Sequence, residues 1–143
     1  MNDVPEPVKT LVDAYETAVH AKDVDAFVGL YDHDVDVFDM WDRWSYSGID
    51  AWRGMVSQWF DSLGDEQVSV EIADVRAVLT NDLGVAHAFV TYRALSAEGE
   101  QVRSMQNRLT WALKAADGGR WKIIHEHSSA PLDPETTKAI PRR

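Results

Sequence analysis

Three short turn signals, Asn81-Asp82, Glu98-Gly99 and Asp117-Gly118-Gly119, cut residues 66–129 into four segments with strand character, each eight or more residues long. Long strands joined by such short turns imply an antiparallel meander. In the third segment Met105, Asn107, Leu109, Trp111 and Leu113 fall on one face, with Gln106, Arg108, Thr110 and Ala112 opposite. In the last, Trp121, Ile123, His125 and His127 share a face. An apolar sheet face has to be covered, so the first half of the chain must supply the cover.

That half reads as helical. Val8, Leu11, Val12, Tyr15, Ala18 and Val19 recur at the spacing of one helix face, with Pro5 or Pro7 acceptable in its first turn. Asp23 is placed to cap a second, shorter helix with Ala26, Phe27, Leu30 and Tyr31 on its buried stripe. Val35 and Val37 then alternate with Asp36 and Phe38 as a short strand, and residues 39–48 have loop character. A third helix starts near Asp50 and carries Ala51, Trp52, Met55, Val56, Trp59 and Phe60 on a broad apolar face. The expected class is α+β: three helices packed on a curved, mostly antiparallel sheet, with a small-molecule-sized pocket between them. One domain over residues 1–130 is expected, followed by a polar tail at 131–143 in which Asp133-Pro134-Glu135 is suited to cap a helical turn.

Composition narrows the partners. A chain of 143 residues with 45% hydrophobic content can bury a core without staples, and with no cysteine it has neither disulfides nor thiolate metal sites. That usage fits a reducing cytoplasm. The acidic, proline-containing start, Met1 to Thr10, does not read as a secretory signal, and no stretch approaches the roughly 18 apolar residues of a membrane span. A formal net charge of −10 repels nucleic acid and anionic lipid alike. Asp32, Asp34 and Asp36 look like the start of a calcium loop, but Val37 stands where the turn glycine belongs. No phosphate loop, dinucleotide fingerprint or nucleophile elbow occurs, so no cofactor is expected.

The element order, with Asp23-Val24-Asp25-Ala26-Phe27 before Leu30-Tyr31 and Gly118-Gly119-Arg120-Trp121-Lys122-Ile123-Ile124-His125-Glu126-His127 near the end, resembles the nuclear transport factor 2-like superfamily. The SnoaL-like and ketosteroid isomerase-like branch is the nearest in pattern, and the terminal Trp-Lys-Ile-Ile-His-Glu-His string is also similar to the association domain of calcium/calmodulin-dependent kinases. The resemblance spans about residues 8–130 and implies a cone-shaped barrel, often dimeric through its sheet, whose open end admits a ligand.

Laid over the isomerase pattern, Tyr15 falls on the tyrosine that donates to an oxyanion and Asp39 on the aspartate that moves the proton. The pattern's second, protonated acid has no counterpart, since Gln106, Asn107 and Arg108 occupy that stretch. Tyr15 also sits on the apolar stripe of its helix, which equally suits a packed core phenol. Trp41, Trp44 and Trp59 are candidates to line the pocket mouth, as are His87, Arg108, His125 and His127 on the strands. The His-x-His pair faces one way but lacks a third ligand by spacing, so no metal is assigned. Two functions follow as expectations: a cofactor-independent acid/base isomerase or lyase acting on a small hydrophobic molecule, or a non-catalytic ligand-binding or oligomerisation module. A homodimer is expected, on the argument that one sheet face bearing Met105, Leu109 and Trp111 stays uncovered by helices.

Overall fold

In the computed structural model, which describes residues 3–143, the helices are α1 (Glu6–Ala21), α2 (Val24–Val28) and α3 (Ile49–Ser62). The strands are β1 (Tyr31–Phe38), β2 (Tyr46–Ser47), β3 (Gln67–Leu79), β4 (Leu83–Leu95), β5 (Gln101–Ala115) and β6 (Trp121–Ser129). They form one sheet in the order β2-β1-β6-β5-β4-β3. Every pairing is antiparallel except β1 with β6, so the four-strand meander is present and the short first strand joins it at the β6 edge. The sheet curves without closing, and β2 and β3 remain its two edges.

Local chemistry accounts for the cover. Asp23 Oδ1 accepts from the Ala26 N–H at 3.0 Å and starts α2, which ends by Val28, so Tyr31 opens β1 instead of extending the helix stripe. In α1 the buried residues are Val8, Leu11, Tyr15, Ala18 and Val19, the three-and-four spacing of one face. Lys22 ends that helix in the left-handed conformation, φ 53°. Phe27 is fully buried where the helices meet, its ring centroid 4.9 Å from that of Tyr15, 5.4 Å from Tyr31 and 6.0 Å from Phe60. Burying a phenylalanine completely is worth about 1.5–3 kcal/mol, so this cluster ties all three helices to the sheet.

Two irregularities shape the sheet. Between Ala73 and Arg76 the β3 register shifts, with Asp74 at φ 56°, which bends the long β3–β4 ribbon over α1. In β6 the partner of Leu113 is Ile123 while the partner of Ala112 is His125, leaving Ile124 unpaired as a bulge. Side chains alternate with period two, so one inserted residue exchanges the faces of everything after it. Ile123 points into the core, and beyond the bulge Glu126 and Ser128 point inward in place of His125 and His127.

The face bearing Met105, Leu109 and Trp111 is the covered one, with Leu109 and Trp111 buried beneath the helices, which corrects the face chosen in the dimer argument. The opposite face carries the exposed Phe38, Val78, Val85 and Phe89. The tail forms a turn, not a helix: Asp133 Oδ1 accepts from the N–H groups of Glu135 and Thr136. It then runs past the end of β6, where the Gln106 N–H donates to the Pro141 carbonyl at 2.7 Å. No helix among the described residues is long and apolar enough to cross a membrane.

Candidate active site

The concave side of the sheet does not fill completely. Between α1, α2, α3, the 39–45 loop and strands β3–β6 lies a cavity of about 620 Å³. Much of its wall is aromatic: Tyr15, Phe27, Tyr46, Trp52, Trp59 and Tyr92, with Trp41 at the mouth. α1 contributes Tyr15 because the phenol shares the buried stripe, and α3 contributes Met55 and Trp59 from the half-buried margin of its apolar face.

The polar groups come from the β1–β2 loop and the inward faces of β4, β5 and β6. Asp39 follows β1 directly. Its Oδ1 accepts from the Ser128 hydroxyl at 3.2 Å and its Oδ2 from the Trp41 N–H at 3.3 Å. Ser128 is itself oriented by the Met40 N–H, 3.1 Å from its Oγ. Loss of solvent raises the proton affinity of the Asp39 carboxyl above the usual range, against the opposing pull of these donors.

Glu126 is the most deeply placed acid, 3% exposed. The Tyr31 hydroxyl donates to its Oε1 at 2.6 Å and the Trp111 indole N–H donates to the same atom at 2.9 Å. Among the described residues nothing bonds Oε2. Burial pushes this carboxyl up to about 7, opposed by those two donors and assisted by the negative charge of Asp39. The Tyr15 and Tyr92 hydroxyls lie 2.8 Å apart, so one hydrogen of the pair is shared and the other is free to donate. Burial moves both phenols well above their ordinary value, so they remain neutral donors. Asn107, 8% exposed, also lines the cavity; its amide nitrogen is 3.7 Å from Met40 Sδ and its Oδ1 has no partner among the described residues.

Of the residues singled out from sequence, Asp39, Tyr15, Trp41 and Trp59 meet in this cavity. Trp44, His87, Arg108, His125 and His127 do not line it. Trp44 is 97% exposed and borders, with Phe38 and His127, an outer groove at the 39–45 loop that shares Asp39, Trp41, Asp42 and Ser128 with the cavity. His87 and Arg108 take the outward positions of β4 and β5, and Arg108 donates to Ser129 Oγ at 3.1 Å. His125 and His127 were expected to face inward with Ile123; the bulge at Ile124 turns both outward onto Phe38, with ring centroids at 4.8 and 5.6 Å. His125 Nδ1 donates to the Asp36 carbonyl at 2.7 Å. Among the described residues no three His, Asp or Glu side chains gather as a metal site.

The same bulge explains why Glu126 and Ser128 escape a reading by alternation, whereas Tyr92 lies on β4, where the alternation of Ala86, Ala88 and Val90 reaches it unbroken. A signal exists in Ile123-Ile124, two consecutive apolar residues in an otherwise alternating strand, which marks where the period slips.

The comparisons agree with this architecture. The family model of the SnoaL-like domain matches residues 8–133. Among solved structures, an NTF2-like protein of unknown function from Pseudomonas putida KT2440 superposes with a TM-score of 0.79 at 26% identity, covering 93% of this chain and 90% of its own. A putative calcium/calmodulin dependent protein kinase II association domain from Xanthomonas campestris gives a TM-score of 0.75 at 20% identity, covering 94% and 91%. An NTF2-like protein with a cystatin-like fold from Novosphingobium aromaticivorans gives 0.75 at 16%, covering 92% and 83%. No curated protein matches by sequence. With the family pattern running through nearly all of the folded region and these neighbours sharing its architecture, the chain belongs to the SnoaL-like domain family of the nuclear transport factor 2-like superfamily.

Proposed function

We propose that the protein binds a small, largely apolar molecule in this cavity and acts on it as a cofactor-independent acid/base isomerase or lyase, with Asp39 as the proton carrier. The observation that carries this reading is the presence of two carboxyl groups, Asp39 and Glu126, in one aromatic-walled cavity, with no basic side chain of the described residues bonded to either. A carboxylate held away from water is a stronger base than one in solution, and a neutral phenol pair beside it can hydrogen-bond the negative charge that deprotonation creates. In such a step Asp39 takes a proton from the substrate and the free hydrogen of the Tyr15–Tyr92 pair stabilises the oxygen that gains charge. Return of the proton to another atom completes an isomerisation, and loss of a leaving group completes an elimination.

The test needs the ligand first, sought by native mass spectrometry of protein purified from its own source. With a turned-over substrate in hand, Asp39→Asn keeps the shape and removes the base, so turnover drops roughly 10²-fold or more while affinity changes little. A parent rate in Asp39→Asn sinks the catalytic role. A second reading, a non-catalytic binding module, draws on Asn107 standing in the stretch where the isomerase pattern has a protonated acid. Its signature is ligand retention that depends on Trp41 and no turnover in the parent protein. Pairing of two copies through the outer sheet face belongs to either reading, supported by the exposed Phe38, Val78, Val85 and Phe89.

A further inference from the structure

Beside the free hydrogen of the Tyr15–Tyr92 pair, the cavity holds acceptors that lack a donor. Among the described residues nothing bonds Glu126 Oε2, and Asn107 Oδ1 is unpaired although the residue is 8% exposed. Asp39 adds a carboxylate with one bond on each oxygen. A buried acceptor without a donor costs free energy that a ligand's N–H or O–H recovers on binding. The other unpaired buried side-chain atom among the described residues is a donor, Trp52 Nε1.

The charges point the same way. The ionisable groups that face Glu126 are Tyr31 from β1, Asp39 from the loop after it, Tyr15 from α1 and Tyr92 from β4, none of them a cation. Among the described residues the one basic side chain lining the cavity is Arg103 at the rim, and both its terminal nitrogens are engaged by Glu66 at 3.1 and 2.7 Å. Arg43 lies on the outer groove, 5.5 Å from the Tyr46 ring centroid. A net charge of −10 draws cations toward the mouth and repels anions. The aromatic wall completes the match, because ring faces attract a desolvated cation.

We propose that the ligand of this cavity is an amine: a flat apolar body carrying a protonated nitrogen that is held by Glu126, with a polar hydrogen elsewhere on the ligand donating to Asn107 Oδ1. The inference rests on the reading of the cavity as a small-molecule site and adds the class of molecule. A bound ammonium stabilises the carboxylate form of Glu126, so the group gives up its proton to solvent as the ligand enters. A neutral alcohol leaves that proton in place.

The experiment is isothermal titration of the full-length protein at pH 6 with three probes sharing one ring system: naphthylethylamine, naphthylethanol and naphthylacetate. Each is run in two buffers of different ionisation enthalpy. The amine is expected to bind at least about tenfold tighter than the alcohol, with the carboxylate weakest and with release of up to about one proton per amine bound. Glu126→Gln should abolish the proton release and most of the amine preference while leaving the alcohol's affinity near its parent value. Equal or tighter binding of the alcohol or the carboxylate overturns the amine assignment and leaves the acid/base role of Asp39 standing. Amine binding with no buffer dependence overturns the assignment as well, and this arm needs only the parent protein should Glu126→Gln fail to fold. If none of the three binds, the assignment falls together with the small-molecule site itself.

Discussion

Changing Glu126 to glutamine tests whether the buried carboxyl is as isolated as the geometry says. The substitution keeps an oxygen for the Tyr31 hydroxyl and the Trp111 N–H and replaces Oε2 with an amide nitrogen that cannot ionise. Burial lifts the group from an ordinary 4.5 to about 7 in the folded chain. Between those values the folded state holds a proton that the unfolded state has lost, so this group's contribution falls as pH rises through the window. Below 4.5 neither state is ionised and there is no penalty; above 7 both are ionised and the penalty is complete. At about 1.4 kcal/mol per pH unit over that interval, the penalty is about 3 kcal/mol. Glutamine cannot pay it at any pH, so the variant should gain on the parent by about 3 kcal/mol between pH 4.5 and pH 8. Urea unfolding followed by tryptophan fluorescence, at fixed protein concentration and at several pH values, gives the difference directly. Asp39 shifts in the same direction, but it is present in both proteins and largely cancels. A parent-minus-variant difference that stays flat from pH 4.5 to 8 refutes the argument, because Glu126 would then ionise as freely inside as outside.

Phe27→Ala empties the meeting point of the three helices and should cost about 3–5 kcal/mol in urea unfolding; a loss under about 1 kcal/mol contradicts the packing described for it. Sedimentation at micromolar concentration should show a dimer, and Val85→Asp, on the exposed outer face, should convert it to a monomer. A parent protein that sediments only as a 16.1 kDa species removes the proposed pairing.

The turn chemistry and the helix stripes made the architecture legible in advance. Asn81-Asp82, Glu98-Gly99 and Asp117-Gly118-Gly119 end strands wherever they stand, and Asp23 caps α2 with its own side chain. Such signals act within a few residues, so the sequence carries them unaided. The α1 stripe likewise placed Tyr15 beneath the helix, and the loop after β1 placed Asp39 near the open end of the sheet. What the sequence left undecided is which acid lies deepest. By alternation alone Glu126 belongs outside with Arg108, and His125 and His127 belong inside. The single unpaired Ile124 reverses that order. Its placement depends on how β6 registers against β5 on one side and β1 on the other, and register is a property of the assembled sheet. Covering one sheet face and exposing the other is decided the same way. Trp111 and Leu109 are apolar wherever they point, and only the packing of α1 and its neighbours shows that theirs is the face turned to the cavity.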